Sequence, residues 1–220
     1  MMTMSLRLPV LIGVALALAA VVGWRLLSGE EGLSDPDAAV VRIETLKSKG
    51  DVAALAREAS GSDVKAARQA VGALGHLGTR ATPHIESAMR DSRPEIREKA
   101  ALALGRAAGL EHSAPLAKAA GSDPSARVRA SAVTALGRMR AYTEMQTLLA
   151  ALEDEDADVR RRANAAIRRV LGVSFGFRAN DRPEKRRQAI AAIRRQWPRL
   201  KRYADSYYKS RRFKEKQPGR

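Results

Sequence analysis

The sequence predicts an all-α protein: a short right-handed α-solenoid of helix pairs behind an N-terminal transmembrane helix. Three observations carry this reading. One stretch recurs four times, at residues 62–78, 92–109, 124–140 and 157–172. Each copy places an anchor near its end, Leu74, Leu104, Leu136 or Ile167, at spacings of 30, 32 and 31 residues. Alanine stands four residues before every anchor (Ala70, Ala100, Ala132, Ala163) and again one residue before it (Ala73, Ala103, Ala135, Ala166). Eight residues before come Ala66, Ile96, Val128 and Val159. Positions i, i+4 and i+8 share a helix face, so every copy presents the same narrow apolar ridge. A period near 30 residues marks stacked helical units that pack only on their neighbours. Aromatic residues are 4% of the chain, which suits close helix-on-helix packing more than a sheet sandwich.

Residues 8–24, LPVLIGVALALAAVVGW, carry no charge. As a helix this run spans roughly 25 Å, just short of a hydrocarbon core of about 30 Å. Leu26 and Leu27 extend it if Arg25 reaches back to the interface, and Trp24 stands where an interfacial aromatic belongs. Two readings stay open. In one, the segment is cleaved as a signal peptide after the small residues around Ala15–Ala19. In the other, favoured because apolar residues continue past those alanines, residues 1–27 are an uncleaved signal anchor. The anchor reading predicts a single-pass membrane protein, and the repeat type described below implies that the membrane is a bacterial inner one. A short head before the first apolar segment then points to a periplasmic solenoid, with secretion after cleavage as the alternative.

Residues 28–36 read as a linker of small and acidic residues, and 37–49 as a leading amphipathic helix ending at Gly50. From Asp51 four helix pairs follow, so the solenoid spans 37–172. The first helices carry Leu55, Ile85, Ala117 and Leu148, each 11 residues before its partner's first ridge residue, which predicts turns of constant length. Gly78, Gly109 and Gly172 are expected to cap three of the second helices, and Gly75, Gly105 and Gly137 to punctuate the repeat. Residues 173–198 read as a cap: Phe175-Gly176-Phe177, then a helix from Pro183 to Trp197 with Ala189, Ile190 and Ile193 on one face. Residues 199–220 form a basic tail.

The strings DSRPEIREKAALALG from Asp91, DPSARVRASAVTALG from Asp123 and DEDADVRRRANAAIR from Asp154 resemble HEAT repeats of the short bacterial type first noted in phycobilisome lyases. The first copy, SDVKAARQAVGALG, keeps the alanines and Leu-Gly but lacks the matching Arg. The resemblance covers about 120 residues and implies a fold and an interaction surface. It says little of chemistry, and a bilin-lyase or enzyme-auxiliary role has only the repeat type behind it.

Asp91 with Arg97, Asp123 with Arg129, and Asp154 with Arg160 are each six residues apart and predict a structural ladder, each turn Asp meeting an Arg of its own or the neighbouring unit. Two residues past the anchors stand His76, Arg106, Arg138 and Arg169, which stacking would align into a row. That row reads either as cations favoured by helix C-terminal dipoles or as an anion-binding edge. Lys99, Arg106, Ser131, Arg138, Arg162 and Arg169 are the candidate contacts for a protein partner. The histidines His76, His84 and His112 form no metal-ligand pattern, the chain has no cysteine, and no nucleophile motif appears. Hence neither metal nor cofactor is expected, and the chain reads as a non-enzymatic scaffold.

Charge is uneven. Residues 178–220 hold 16 of the 40 Lys and Arg but only 4 of the 24 Asp and Glu. In the tail, Lys201, Arg202, Tyr203, Tyr207, Tyr208, Arg211 and Arg212 interleave cations with aromatics. That mixture fits an anionic lipid, an envelope polyanion or a nucleic acid, as well as a solvated tail with no fixed partner.

Overall fold

A leading helix, α1 (Asp35–Lys49), precedes four helix pairs. These are α2 (Val52–Ala59) with α3 (Val64–Leu74), α4 (Thr82–Ala88) with α5 (Pro94–Ala107), α6 (Ser113–Ser122) with α7 (Ala126–Arg138), and α8 (Met145–Ala151) with α9 (Ala157–Leu171). A long helix, α10 (Pro183–Lys209), is the last described element. The computed structural model describes residues 35–209, with side chains from 38 to 207. Among these residues there is no strand, and no helix is long and apolar enough to cross a membrane. The predicted membrane segment 8–27 lies outside the described residues.

The second helices α3, α5, α7 and α9 stack directly on one another, each braced by the first helix of its own unit. Leu74, Leu104 and Leu136 are fully buried and Ile167 is 1% exposed, so all four anchors are core. Burying such a side chain contributes about 1.5–3 kcal/mol. The glycines after the first three anchors are contact points as well as repeat punctuation. A Cβ on Gly75 would fall 2.9 Å from Ala103 Cβ, one on Gly105 2.6 Å from Ala135 Cβ, and one on Gly137 2.8 Å from Ala166 Cβ. Thus the glycine following one anchor receives the alanine preceding the next. The repeated small residues set how closely consecutive units approach.

Local chemistry sets the turns. Asp51, Asp63 and Asp156 accept backbone N–H groups as N-caps of α2, α3 and α9. Asp91, Asp123 and Asp154 each accept the N–H two residues on, at 2.8, 2.9 and 2.8 Å, which folds the three turns alike.

Several expectations need correction. In the third unit the core residue is Leu116, fully buried, rather than Ala117. There α6 runs ten residues where α4 and α8 run seven, so the offset shifts by one and the turn length is not constant. Gly172 does cap α9 in the left-handed conformation, at φ 74°. Gly78 and Gly109 do not cap: α3 ends on Gly75 and α5 on Ala108, and both glycines open the following 3-10 turns. The leading helix begins at Asp35, two residues earlier than predicted.

The last helix passes through Pro198, where the cap helix was expected to end, and continues to Lys209, so the basic stretch from residue 199 begins as helix. A proline inside a helix removes one hydrogen bond and crowds the preceding turn. Packing holds the continuation: Ile190, Ile193, Trp197 and Ala204 are buried, and Arg194 pairs with Glu153 at 3.5 Å. Beyond the proline, Asp205 hydrogen-bonds the Tyr142 hydroxyl; burial first, and then Asp205, raises that phenol's pKa.

Candidate functional site

Two sets of arginines with the same period lie at opposite ends of the second helices. The first set joins the units. Arg97 donates from Nη1 to the Asp91 and Ser92 carbonyls, both at 2.9 Å, and from Nε and Nη2 to the Asp123 carboxylate at 2.8 and 3.0 Å. Arg129 repeats this, donating to the Asp123 carbonyl at 3.0 Å and to both Asp154 oxygens at 2.8 and 2.9 Å. Each guanidinium therefore closes its own turn and grips the next unit's aspartate, so the pairing runs between units. At the end of the row Arg160 binds the Asp154 and Glu155 carbonyls, and the Ala179 carbonyl replaces the missing carboxylate at 3.0 Å.

The first unit has Ala67 where this arginine belongs. Arg93, from the turn of the following unit, supplies the guanidinium instead. Its Nη1 donates to the Gly61 carbonyl at 2.6 Å, while Nε and Nη2 hold Asp91 at 2.9 and 2.8 Å. Gly61 and Asp91 are the repeat equivalents of Asp91 and Asp123, so the ladder is unbroken. Sequence reasoning missed this because Arg93 stands four residues from the repeat position.

These pairs dominate the electrostatics. The hydrogen bond from Arg93 holds the Asp91 carboxyl below its ordinary value. Burial alone would raise Asp123, but the Arg97 hydrogen bonds and the Ser125 N–H outweigh it and bring it down. The Asp154 carboxylate, by its hydrogen bond, raises Arg129. Such perturbations mark structural ion pairs as readily as active sites, and here every one of these groups joins two repeat units.

The second set is the row past the anchors. Arg106, Arg138 and Arg169 are exposed, on or beside the last turns of α5, α7 and α9. Arg106 Nη1 lies 3.0 Å from His76 Nε2, so stacking does align the row across the first two units. Burial, then Arg106 and Lys47, lower the His76 pKa. No carboxylate pairs with Arg106, Arg138 or Arg169 among the described residues.

The remaining candidates divide. Arg162 is exposed, but Asp158 already holds it at 2.7 Å, and it reaches the Thr134 hydroxyl at 3.3 Å. Lys99 is half-buried, its stem lying where a Cβ on Gly72 would sit. Ser131 is 4% exposed and offers no contact area, because α7 is buried between α5 and α9 at that level. On the last helix Lys201 pairs with Asp205 at 3.0 Å and Arg202 is exposed. Tyr203 and Tyr207 stack with ring centroids 6.4 Å apart and planes 14° from parallel. The Tyr208 side chain, Arg211 and Arg212 lie outside the described residues.

A groove of about 270 Å³ separates α7 from α9, lined by Thr134, Arg138, Arg162 and Arg169. Arg168, which the sequence marks only as added charge in the last unit, and Arg140, which it does not single out, line the hollow beside it. Among the described residues no group of three His, Cys, Asp or Glu could hold a metal ion. His112 Nδ1 is instead engaged by Glu86 at 2.8 Å, and Ser113 donates to Glu144 at 2.8 Å, so these two polar pairs bridge neighbouring units.

Stacked pairs of this kind are what the family comparison finds. The profile of HEAT repeats matches residues 52–136 and 113–170, more than half of the chain. The protein belongs to the HEAT-repeat family. Among solved structures, the complex of CpcE and CpcF of phycocyanin lyase from Nostoc sp. PCC7120 is similar, with 20% identity and a TM-score of 0.50. The match covers 68% of this chain and 97% of that one, a likeness that shows the fold. Among curated proteins, none matches.

Proposed function

We propose that this HEAT-repeat protein is a non-catalytic scaffold that holds an acidic protein partner along the edge formed by Arg106, Arg138 and Arg169. The observation that carries the reading is the contrast between the two arginine sets. The ladder cations are consumed by aspartates and turn carbonyls, whereas the three edge cations are exposed and meet no described carboxylate. A solenoid offers a long, regular surface for such contacts. The similar CpcE–CpcF structure is itself a complex of two chains, which supports a protein as the partner.

Residues 8–27 tether the scaffold to a bacterial inner membrane, with the solenoid on the periplasmic side. Reporter fusions at the C-terminus, one active only outside the cytoplasm and one only inside, test the placement. Recovery of the reporter from the medium would replace the tether with secretion.

Replacing Arg106, Arg138 and Arg169 together by Glu tests the edge. In-cell crosslinking of the full chain should lose its partner adducts, while circular dichroism and melting temperature stay unchanged. Adducts that survive the triple reversal overturn the assignment.

A further inference from the structure

The groove between α7 and α9 does not end at Arg169. Arg169 and Ala165 line both that groove and the adjoining hollow, which adds Arg140 and Arg168. Arg140 and Gly172 in turn line both the hollow and a third depression of about 300 Å³, walled by Leu200, Tyr203 and Tyr207. The three therefore adjoin along shared walls and make a chain of depressions, here called the trough, from the face of α7 round to the last helix. Among the described residues no Asp or Glu lines any part of it. Of its five arginines only Arg162 has a carboxylate partner among the described residues.

Two further features separate this trough from an ordinary basic surface. At its far end stands the stacked tyrosine pair, with Tyr203 72% and Tyr207 39% exposed. At its centre Arg140 has φ 52°, the one described non-glycine residue in the left-handed region. It occupies the turn that ends α7, where Arg140 N–H meets the Gly137 carbonyl and Ala141 N–H the Leu136 carbonyl. Glycine is the residue this position favours, and Gly172 fills the left-handed position after α9. An arginine held there at a cost in backbone strain points to a use for its side chain.

Cations that track a chain of phosphates, ending on an aromatic face, are the chemistry of sequence-tolerant binding to single strands. We propose that the trough from Arg138 to Tyr203 binds single-stranded nucleic acid, with phosphates on Arg138, Arg169, Arg168 and Arg140 and a base stacked on Tyr203. This goes beyond the scaffold reading, with which it shares Arg138 and Arg169 but not Arg106. A periplasmic solenoid would meet such strands only as DNA or RNA outside the cytoplasm.

The test is fluorescence anisotropy on the full chain in detergent micelles. Three labelled probes are compared: a twelve-nucleotide oligothymidylate, an abasic strand of equal length, and a twelve-residue polyglutamate. Oligothymidylate should bind roughly tenfold more tightly than the abasic strand, the size expected of one stacked base. Tyr203→Ala should erase that difference and Tyr203→Phe should keep it. Four engaged cations give a slope of log affinity against log salt of roughly −3, which Arg138→Gln with Arg169→Gln should about halve. Arg140→Gly should raise the melting temperature yet weaken binding, a pair of changes that a purely structural arginine would not give. Equal affinity for the abasic strand overturns the proposal, as does no binding at all. Polyglutamate bound as tightly as oligothymidylate overturns it too, while leaving the acidic-partner reading intact. Arg106→Glu separates the two readings further, since it should disturb partner capture and leave the oligonucleotide unaffected.

Discussion

The two ends of the second helices carry arginines of the same period and opposite fate. At the turn end Arg97 and Arg129 have side chains 14% and 10% exposed, each bound to a carboxylate and two carbonyls. At the other end Arg106, Arg138 and Arg169 are exposed and meet no described carboxylate. Periodicity alone cannot separate them, because stacking aligns every repeated side chain, whatever its use. What separates them is whether an acceptor recurs with the same period. Asp91, Asp123 and Asp154 recur beside the first set, and nothing acidic recurs beside the second.

That contrast is broken or upheld most sharply by one pair of truncations. Arg129→Ala leaves Asp154, 11% exposed, without its cation and removes two turn contacts. Removing one partner of such a buried pair costs about 3–5 kcal/mol. At roughly 2–4 °C per kcal/mol for a chain of this size, the melting temperature should fall by about 10 °C. Arg138→Ala should change stability by less than about 0.5 kcal/mol, as exposed substitutions do. Similar losses in both variants, read from thermal melts, would erase the distinction.

The glycines give a second contrast of the same kind. In Gly105→Ala the new methyl would stand 2.6 Å from Ala135 Cβ and 2.8 Å from its Cα, so α5 and α7 must part. Overpacking of this sort costs about 1–3 kcal/mol. Gly121, near the end of α6, has nothing within 4 Å of such a methyl, and alanine there should stabilise by up to about 1 kcal/mol. Urea midpoints that move together would mean the close approach is not what fixes the unit spacing.

Arg93 allows the ladder itself to be rewired. Arg93→Ala takes the cation from Asp91 and the Gly61 carbonyl's donor, so the urea midpoint should fall. Ala67→Arg alone should destabilise, because Ala67 is fully buried and the guanidinium site is filled. The double variant should recover part of the loss by restoring the arrangement seen at Arg97 and Arg129. A double variant no better than the sum of its parts would show that Arg93 is not a substitute.

The sequence-level reading located what depends on spacing and lost what depends on sidedness and local detail. Anchors, ridge alanines and the inter-unit Asp–Arg ladder were legible because each unit repeats them. Leu116 displaced Ala117 because α6 gains length before its turn, so the fixed offset of the other units falls one residue late. Pro198 looked like a stop, yet buried Trp197 and Ala204 on either side hold the helix together. Ser131 shares a repeat position with Lys99 and Arg162 but is buried where they are not, since a short side chain there does not reach the surface. Arg140 and Arg168 lie inside repeat copies, but no cation recurs at their positions, so only the hollow they line brings them together.

The smallest expected effect tests the row where it contains a group that titrates near neutrality. His76 has its pKa lowered from 6.5, so the folded state binds a proton less readily than the unfolded chain. Stability contributed by this group is fully present above about pH 6.5 and is lost as pH falls toward the folded-state value. The ladder behaves differently: Asp91 and Asp123 are lowered from 3.8, and their contribution is lost only in stronger acid. Between pH 7 and 5, then, the difference in urea midpoint between the native chain and His76→Gln should slope with pH while the ladder contributes none. Protonation also removes the acceptor that Arg106 Nη1 meets and sets two cations side by side. Arg106→Gln should therefore shrink the same slope, and a slope that survives it would mean burial alone, not the alignment of the row, holds His76 neutral.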